Sequence, residues 1–315
     1  MRSPKISIVL CTCNGEAYLR GQIDSLLAQT YPFHELIVQD DCSTDSTGHI
    51  IRSYQQRYPE RDIRFYANPQ RMGFNKNFLT ALQRAGGDYI ACCDQDDIWV
   101  ENKLETLVRE MGDCPLIFHN SWVTGNRAKA YPLYGQPLPE CFPSLYAALY
   151  PRAYGHQILF RKDVLERTRP FWGYNVSYDY LLFTLASSMG RVRYLHTPLV
   201  YWRRHEEAAT YNAHPHKAGK WEGYLRAIRA LRQSGNRQST RLYFSLLQQI
   251  PFNDNAAQQA VRLLAKGNLR GILSACLLCL RHRQEAAPGA QGAVQRLRAF
   301  FLPLFFIRDH GRYII

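Results

Sequence analysis

The chain has 315 residues, is 46% apolar and 21% charged, and carries a formal charge of +13. That length and composition suffice to bury a core and exclude a disordered or fibrous protein. The charge is unevenly placed: from Arg203 to the end there are 18 Lys/Arg against 6 Asp/Glu, so +12 of the +13 belongs to the C-terminal part.

Nine cysteines are an odd number without the regular spacing of a secreted disulfide framework, which fits a reducing cytoplasm. Cys11-Thr-Cys13 and Cys276-Leu-Leu-Cys279 lack a second half at zinc-site spacing and read as buried thiols. The start, Met1-Arg-Ser-Pro-Lys5, lacks the apolar segment of a secretory signal. The longest apolar runs, Gly271–Leu280 and Ala299–Ile307, fall short of the ~20 residues that span a bilayer, and Pro303 interrupts the second.

The apolar run Ile6–Cys11 predicts a strand buried on both faces. Glu16–Gln29 has helical spacing at Leu19, Ile23, Leu26 and Leu27 and stops before Tyr31-Pro32. A second strand, Glu35–Gln39, runs into Asp40-Asp41. Ser43 or Thr44 then caps a helix from Asp45 to about Tyr58. Ile63–Tyr66 is a third strand, Asn75–Ala85 a short helix ended by Gly86-Gly87, and Asp88–Cys93 a fourth strand ending at Asp94-Gln-Asp-Asp97. A helix over Glu101–Met111 and a strand at Leu116–His119 follow.

This order implies an α/β fold, a mostly parallel sheet with helices on both faces, whose ligand lies at the carboxyl ends of the strands where the acidic turns collect. Arg127–Arg152 is Pro-, Tyr- and Gly-rich and reads as a loop over that crevice. Beyond Lys217 helices dominate, including Trp221–Gln233 and Ala256–Leu264, so the expected division is a catalytic domain over 1–216 and a basic helical appendage over 217–315.

Asp94-Gln95-Asp96-Asp97 offers hard oxygen ligands at a strand end, where Mg²⁺ or Mn²⁺ can bridge the phosphates of a nucleotide sugar; a solvated turn capping the next helix is the alternative. Asp40-Asp41-Cys-Ser-Thr-Asp45 can accept hydrogen bonds from a nucleoside, and a capped turn accounts for its last three residues equally well.

Together Ser7-Ile-Val-Leu-Cys-Thr-Cys-Asn-Gly15, Asp40–Asp45, Asn68-x-x-x-x-Gly73 and Cys93-Asp-Gln-Asp-Asp-Ile-Trp99 resemble the family 2 glycosyltransferases over roughly residues 5–110. The Asp-Gln-Asp-Asp-Ile-Trp form is most similar to bacterial rhamnosyltransferases of O-antigen and capsule assembly. The resemblance implies a GT-A fold, a nucleoside-diphosphate-sugar donor linked to dTDP or UDP, a divalent metal and an inverting mechanism. By that resemblance Thr12, Asn14, Glu16 and Asp40 bind the nucleoside, Arg71 and Gly73 line the donor site, and Asp94 and Gln95 face the donor. The resemblance implies Asp96 as the direct metal ligand, with Asp94 and His205 beside it and Asp97 as a supporting or helix-capping group.

Inversion needs a carboxylate that takes the acceptor hydroxyl proton while the diphosphate leaves from the opposite face. Asp179, in Val176-Ser-Tyr-Asp-Tyr180, resembles the family's acidic-aromatic site and is the expected base; Asp163 competes, although Arg161-Lys-Asp163 looks like a charged helix start. Leu199-Val-Tyr-Trp-Arg-Arg-His205 resembles the family's late Tyr-Arg-x-His segment, with Glu206-Glu207-Ala-Ala-Thr210 where small polar residues are usual.

The basic C-terminal part includes Phe300-Phe-Leu-Pro-Leu-Phe-Phe-Ile307, which suits either an anionic membrane surface or a helix packed on the core. The expected partner is a saccharide or lipid-linked acceptor at the cytoplasmic face of the inner membrane, with no nucleic acid. A dehydrogenase would need Gly-x-Gly-x-x-Gly after the first strand, and Cys11–Gly15 does not supply it. A sugar-nucleotide nucleotidyltransferase would need an early glycine-rich basic loop, also missing. For a nucleic-acid binder the basic excess lies in the wrong region, and the inferred crevice is acidic. A non-catalytic scaffold would have no use for Asp94, Asp96 and Asp179.

Overall fold

The computed structural model describes residues 3–124, 129–135, 138–174, 176–205 and 220–310. In chain order the first elements are β1 (Ile6–Thr12), α1 (Leu19–Leu27), β2 (Glu35–Asp40), α2 (Thr47–Arg57), β3 (Ile63–Ala67), α3 (Phe74–Leu82) and β4 (Tyr89–Cys93). They continue with β5 (Ile98–Trp99), α4 (Lys103–Met111), β6 (Leu116–Thr124), β7 (Tyr131–Pro132), β8 (Cys141–Phe142), α5 (Ser144–Leu149), β9 (Ile158–Arg161), α6 (Asp163–Glu166), α7 (Tyr178–Met189) and β10 (Val192–Arg203). Among the described residues six further helices follow: α8 (Lys220–Arg232), α9 (Ser234–Leu247), α10 (Asn255–Ala265), α11 (Leu269–Arg281), α12 (Arg283–Ala286) and α13 (Gly292–His310).

Two compact units share these elements, and both are interleaved in sequence. The first consists of Met1–Leu138, Ala153–Glu166 and Arg193–Tyr211; the second of Pro139–Arg152, Arg167–Val192 and Asn212–Ile315. The expected boundary at 216/217 falls outside the described residues, and the second unit takes in two earlier stretches, one of which carries Asp179. The segment read as a loop over Arg127–Arg152 contains β7, β8 and α5.

In the first unit the strand order is β3-β2-β1-β4-β9-β6-β10-β5, with β7 on β6. Strands β3, β2, β1 and β4 are parallel, as are β6 and β10. Strand β9 runs antiparallel between β4 and β6, and β5 antiparallel at the edge of β10. Every residue of β1 and β2 is buried, as a strand covered on both faces requires. Against them α1 lays Leu19, Ile23 and Leu26, and α4 lays Leu104 and Leu107; each such side chain contributes roughly 1.5–3 kcal/mol on burial.

Gly87 marks a close approach: a Cβ there would lie 2.7 Å from Ser7 N and 2.8 Å from Lys5 O, so no other residue lets the chain enter β4 on this path. Buried Glu35 is satisfied by the Ser7 hydroxyl at 2.5 Å, the Gly86 N–H at 2.6 Å and Arg64 Nη1 at 2.8 Å.

The start of α2 departs from expectation. Neither Ser43 nor Thr44 caps it; the N-cap position is Ser46, and Asp45 Oδ1 accepts the Thr47 N–H at 3.0 Å. Ser43 and Thr44 instead bond to neighbouring turns of the site.

The second unit is helical. Asp254 and Asn268 cap α10 and α11, accepting the backbone N–H of Ala257 at 2.6 Å and of Gly271 at 2.7 Å. Within Phe300–Ile307 the side chains of Leu302, Leu304, Phe306 and Ile307 are buried, with the Phe306 ring 4.8 Å from Phe244 and 5.6 Å from Tyr243. This run fills the unit's own core, the second of its two sequence readings. No helix among the described residues is long and apolar enough to cross a membrane. All nine cysteines are free; Cys276 and Cys279 are buried in α11, where burial pushes the Cys276 thiol up to about 12.

Candidate active site

Three turns at the carboxyl ends of β1, β2 and β4 interlock in the first unit. Thr12 lies opposite Asp40 in register, and its hydroxyl donates to Asp40 Oδ1 at 2.7 Å. The Ser43 hydroxyl reaches the same oxygen at 2.5 Å and the Ser43 N–H donates to Oδ2 at 2.9 Å, so buried Asp40 is engaged by its own turn. Asn14 adopts a positive φ of 49°, an uncommon backbone state that its neighbours hold in place. Its N–H donates to Ser43 Oγ at 2.7 Å and its Oδ1 accepts the Thr44 N–H at 2.9 Å. Glu16 closes a reciprocal pair, its N–H donating to Asp45 Oδ2 at 3.0 Å and its Oε2 accepting the Ser46 N–H at 2.8 Å.

Gln95 ties the third turn to the first: its Oε1 accepts the Cys13 N–H at 2.8 Å and its Nε2 donates to Cys13 O at 3.0 Å. Asp41, to which sequence reasoning gave no role of its own, secures the turn after β3. Its Oδ1 accepts from Met72 N at 2.6 Å and Asn68 Nδ2 at 2.9 Å, and its Oδ2 from Gly73 N at 2.8 Å. Gly73 enters α3 at a φ of 79°, which glycine adopts without strain. Exposed Arg71 stands at the same rim: burial raises the Cys13 thiol and the Arg71 charge opposes that rise.

Along the acidic turn, side-chain exposure falls from 36% at Asp94 to 16% at Asp96 and 0% at Asp97. Asp97 Oδ1 accepts the Arg203 N–H at 3.1 Å, while its buried Oδ2 has no hydrogen-bond partner. His156, buried in the turn before β9, brings Nδ1 to 3.7 Å from Asp94 Oδ2 and 3.8 Å from Asp97 Oδ2. Its Nε2 lies 3.0 Å from Ser121 Oγ, which Gln157 Nε2 also reaches at 3.1 Å. Lys103 Nζ, fully buried, donates to His156 O at 2.7 Å and sits 3.3 Å from the Trp99 ring centre.

Burial sets the electrostatics of this cluster. It pushes the Asp97 carboxyl well up, with Asp94 and Asp96 adding to the rise. It also pulls Lys103 down to about 7 and lowers His156. Asp96 is raised by burial and by Asp94, against the pull of His205.

A divalent cation fits these residues. Asp97 Oδ2 is a buried, unsatisfied oxygen, and hard carboxylate oxygens suit Mg²⁺ or Mn²⁺. Among the described residues Asp94, Asp97 and His156 are the one such group of three, with ligand atoms within 4.8 Å of one another. The sequence set of Asp94, Asp96 and His205 is arranged differently: His205 Nε2 bonds Asp96 Oδ2 at 2.7 Å, and Asp94 stands with Asp97 and His156. His156 was missed because a lone histidine before the apolar run Ile158–Phe160 carries no spacing signal.

His205 is also packed by the Tyr18 ring at 4.7 Å, and the Arg203 guanidinium lies 4.8 Å over that ring. Residues 206–210, where the late motif departs from the family pattern, lie outside the described residues. Asp179 stands in the second unit, in the first turn of α7, where its Oδ1 accepts the Ser177 hydroxyl and, at 2.9 Å, the Tyr180 N–H. Its sequence competitor Asp163 is an exposed residue paired with Arg161 two positions away.

The family model for glycosyl transferase family 2 matches residues 7–169, more than half of the chain. The chain belongs to that family. Its sheet and flanking helices have the GT-A architecture. The chain is similar to the E. coli UDP-Glc:alpha-D-GlcNAc-diphosphoundecaprenol beta-1,3-glucosyltransferase WfgD, 33% identical over 43% of this chain and 56% of WfgD. In fold it is similar to S. aureus TarS, solved with UDP-GlcNAc, at TM-score 0.58 and 16% identity over 96% of this chain and 89% of that one. It is also similar to the mannosyltransferase PcManGT of Pyrobaculum calidifontis, solved with GDP-Man and Mn²⁺, at TM-score 0.51 and 16% identity over 98% and 86%. The chain spans 64–65% of the length of the first curated relatives it matches.

Proposed function

We propose that this glycosyltransferase moves a sugar from a nucleoside-diphosphate donor onto a saccharide or lipid-linked acceptor, with inversion, in cell-surface polysaccharide synthesis. The observation that carries the reading is the convergence of three interlocked turns on Asp94, Asp96 and Asp97, with His156 and His205 bonded or adjacent to them. Support for the donor class comes from the nucleotide sugars bound by TarS and PcManGT, and for the acceptor class from the name of WfgD. Rhamnose, from dTDP- or UDP-rhamnose, is the sugar favoured by the Asp-Gln-Asp-Asp-Ile-Trp motif.

Asp94, Asp96 and Asp97, with His156 and His205, would hold Mg²⁺ or Mn²⁺, which supplies positive charge against the leaving diphosphate. The backbone around Thr12, Asn14, Glu16 and Asp40 shapes the nucleoside pocket, and Arg71 and Gly73 border the donor. Asp179, its Oδ1 fixed by Ser177 and Tyr180, accepts the acceptor hydroxyl proton as the new glycosidic bond forms and the sugar–diphosphate bond breaks on the other face. The enzyme works in the cytoplasm, peripheral to the inner membrane.

The test is a melting-temperature titration with UDP, dTDP and GDP, with and without Mn²⁺, followed by turnover of the selected donor. A metal-dependent rise selective for one nucleotide, with turnover abolished in Asp179→Asn and nucleotide binding kept, is the expected result. No rise with any nucleotide overturns the donor reading; full turnover in Asp179→Asn overturns the base.

A further inference from the structure

A second site lies wholly within the helical unit. A cavity of about 580 Å³ is walled by four arginines, Arg152, Arg226, Arg229 and Arg308, with Asp309 as the one acidic side chain in its lining. The guanidinium groups are oriented by neighbours. Arg308 is held by Asp309 at 2.5 and 2.6 Å and by Gly223 O at 3.0 Å. Arg226 is paired with Glu222 one turn earlier in α8, and Arg152 lies 4.1 Å over the Tyr150 ring while donating to its hydroxyl. Arg229 is exposed on the same face of α8 as Arg226.

Even with Asp309 and Glu222 set against them, the four arginines leave two positive charges. The Nε and Nη2 groups of Arg308 and Arg226 are taken by Asp309 and Glu222, which leaves Arg229 and the outer Nη1 edge of Arg226 to meet phosphate oxygens, and a di-anion matches the remaining charge. Helix α8 adds a second character. Its exposed Trp221, Leu225 and Ile228 follow at i, i+4 and i+7, an apolar ridge beside the arginines. A basic pocket edged by an apolar ridge on one helix is complementary to an anionic head with a hydrocarbon tail.

We propose that this pocket binds the diphosphate group of an amphiphilic, lipid-linked acceptor, with the start of the lipid along Trp221, Leu225 and Ile228. Tyr180, the residue after Asp179 in α7, also lines the cavity. The inference deepens the acceptor reading and rests on it for its catalytic meaning, although the binding stands alone.

The experiment is calorimetric titration of the full chain with farnesyl diphosphate, in EDTA and without nucleotide, beside inorganic pyrophosphate and phosphatidylglycerol vesicles. The expected result is saturable binding of farnesyl diphosphate, tighter than pyrophosphate, weakened at least tenfold in Arg226→Gln/Arg229→Gln. Trp221→Ala/Leu225→Ser should weaken farnesyl diphosphate and leave pyrophosphate unchanged. Both variants alter exposed side chains and keep the UDP–Mn²⁺ melting shift of the parent. Farnesyl diphosphate binding that survives the arginine substitutions overturns the site, and pyrophosphate binding as tightly as farnesyl diphosphate overturns the lipid ridge. Loss of vesicle binding in the arginine variant, with farnesyl diphosphate unaffected, assigns the arginines to a membrane surface and overturns the proposal. Because no donor or metal is present, failure of the transfer reaction leaves this readout intact, and the two readings fail separately.

Discussion

Asp96 and His205 are 109 residues apart in sequence, and their side chains meet at 2.7 Å between Oδ2 and Nε2. This contact fixes the orientation of Asp96 against the imidazole. Removal of His205 frees the carboxylate to rotate. In His205→Ala, the Mn²⁺ concentration giving half the nucleotide-dependent melting shift should rise about 10–100-fold, the usual cost of losing such an orienting partner. An unchanged Mn²⁺ requirement would separate His205 from the metal centre. Asp96→Ala should remove turnover while the metal-free melting temperature changes little.

Gln95 provides a different test. It forms two hydrogen bonds to the Cys13 backbone, and a Cβ on Gly15 would lie 2.3 Å from its Oε1. Gly15→Ala must therefore push Gln95 out, producing the same loosened first turn as Gln95→Ala. Each substitution should cost about 1–3 kcal/mol in urea unfolding, the scale of breaking two hydrogen bonds to the backbone. The double substitution should cost little more than either alone. Simple addition of the two effects would show that the clamp does not couple the turns.

The frame of this site was legible in the sequence because strands buried on both faces leave continuous apolar runs. Ile6–Cys11 and Glu35–Gln39 were placed to within a residue, and the acidic turns were therefore located correctly at strand ends. Strand β9 escaped, since three apolar residues after a short turn carry no period, and its antiparallel insertion between β4 and β6 is a tertiary choice. His156 and Lys103 escaped with it. Lys103 looks like an ordinary polar position of α4, and only the packed structure shows it buried over Trp99. Ser43 and Thr44 misled because a small hydroxyl residue before a helix suits a cap and a loop clasp equally, and here the clasp on Asp40 and Asn14 prevails.

Asp41 supports a prediction about order rather than chemistry. Its carboxylate collects the N–H groups of Met72 and Gly73 and the amide of Asn68, fixing the turn before α3. In Asp41→Asn one oxygen is replaced by a donor, which then opposes a backbone N–H. A loss of about 1–3 kcal/mol is expected, the cost of leaving a buried donor unpaired. Limited proteolysis should cut faster near Arg71 than in the parent. Equal cleavage rates would mean that the turn is held by α3 itself.

Lys103 gives the pH dependence. Burial pulls its pKa from the usual 10.5 to about 7. Between those values the unfolded chain carries the proton and the folded chain does not, so stability rises from pH 7 towards 10.5 and is lost again as pH falls back through 7. The slope from one such proton is at most about 1.4 kcal/mol per pH unit. Lys103→Met removes that proton while keeping an unbranched apolar stem against Trp99. Its absolute stability can fall, because the bond to His156 O is lost, but its unfolding free energy should vary less between pH 7 and 9 than the parent's. The tyrosines that burial raises titrate above this window and do not disturb the comparison. Urea unfolding in EDTA at pH 7, 8 and 9 gives both slopes, and identical slopes would show that Lys103 keeps its charge in the folded protein.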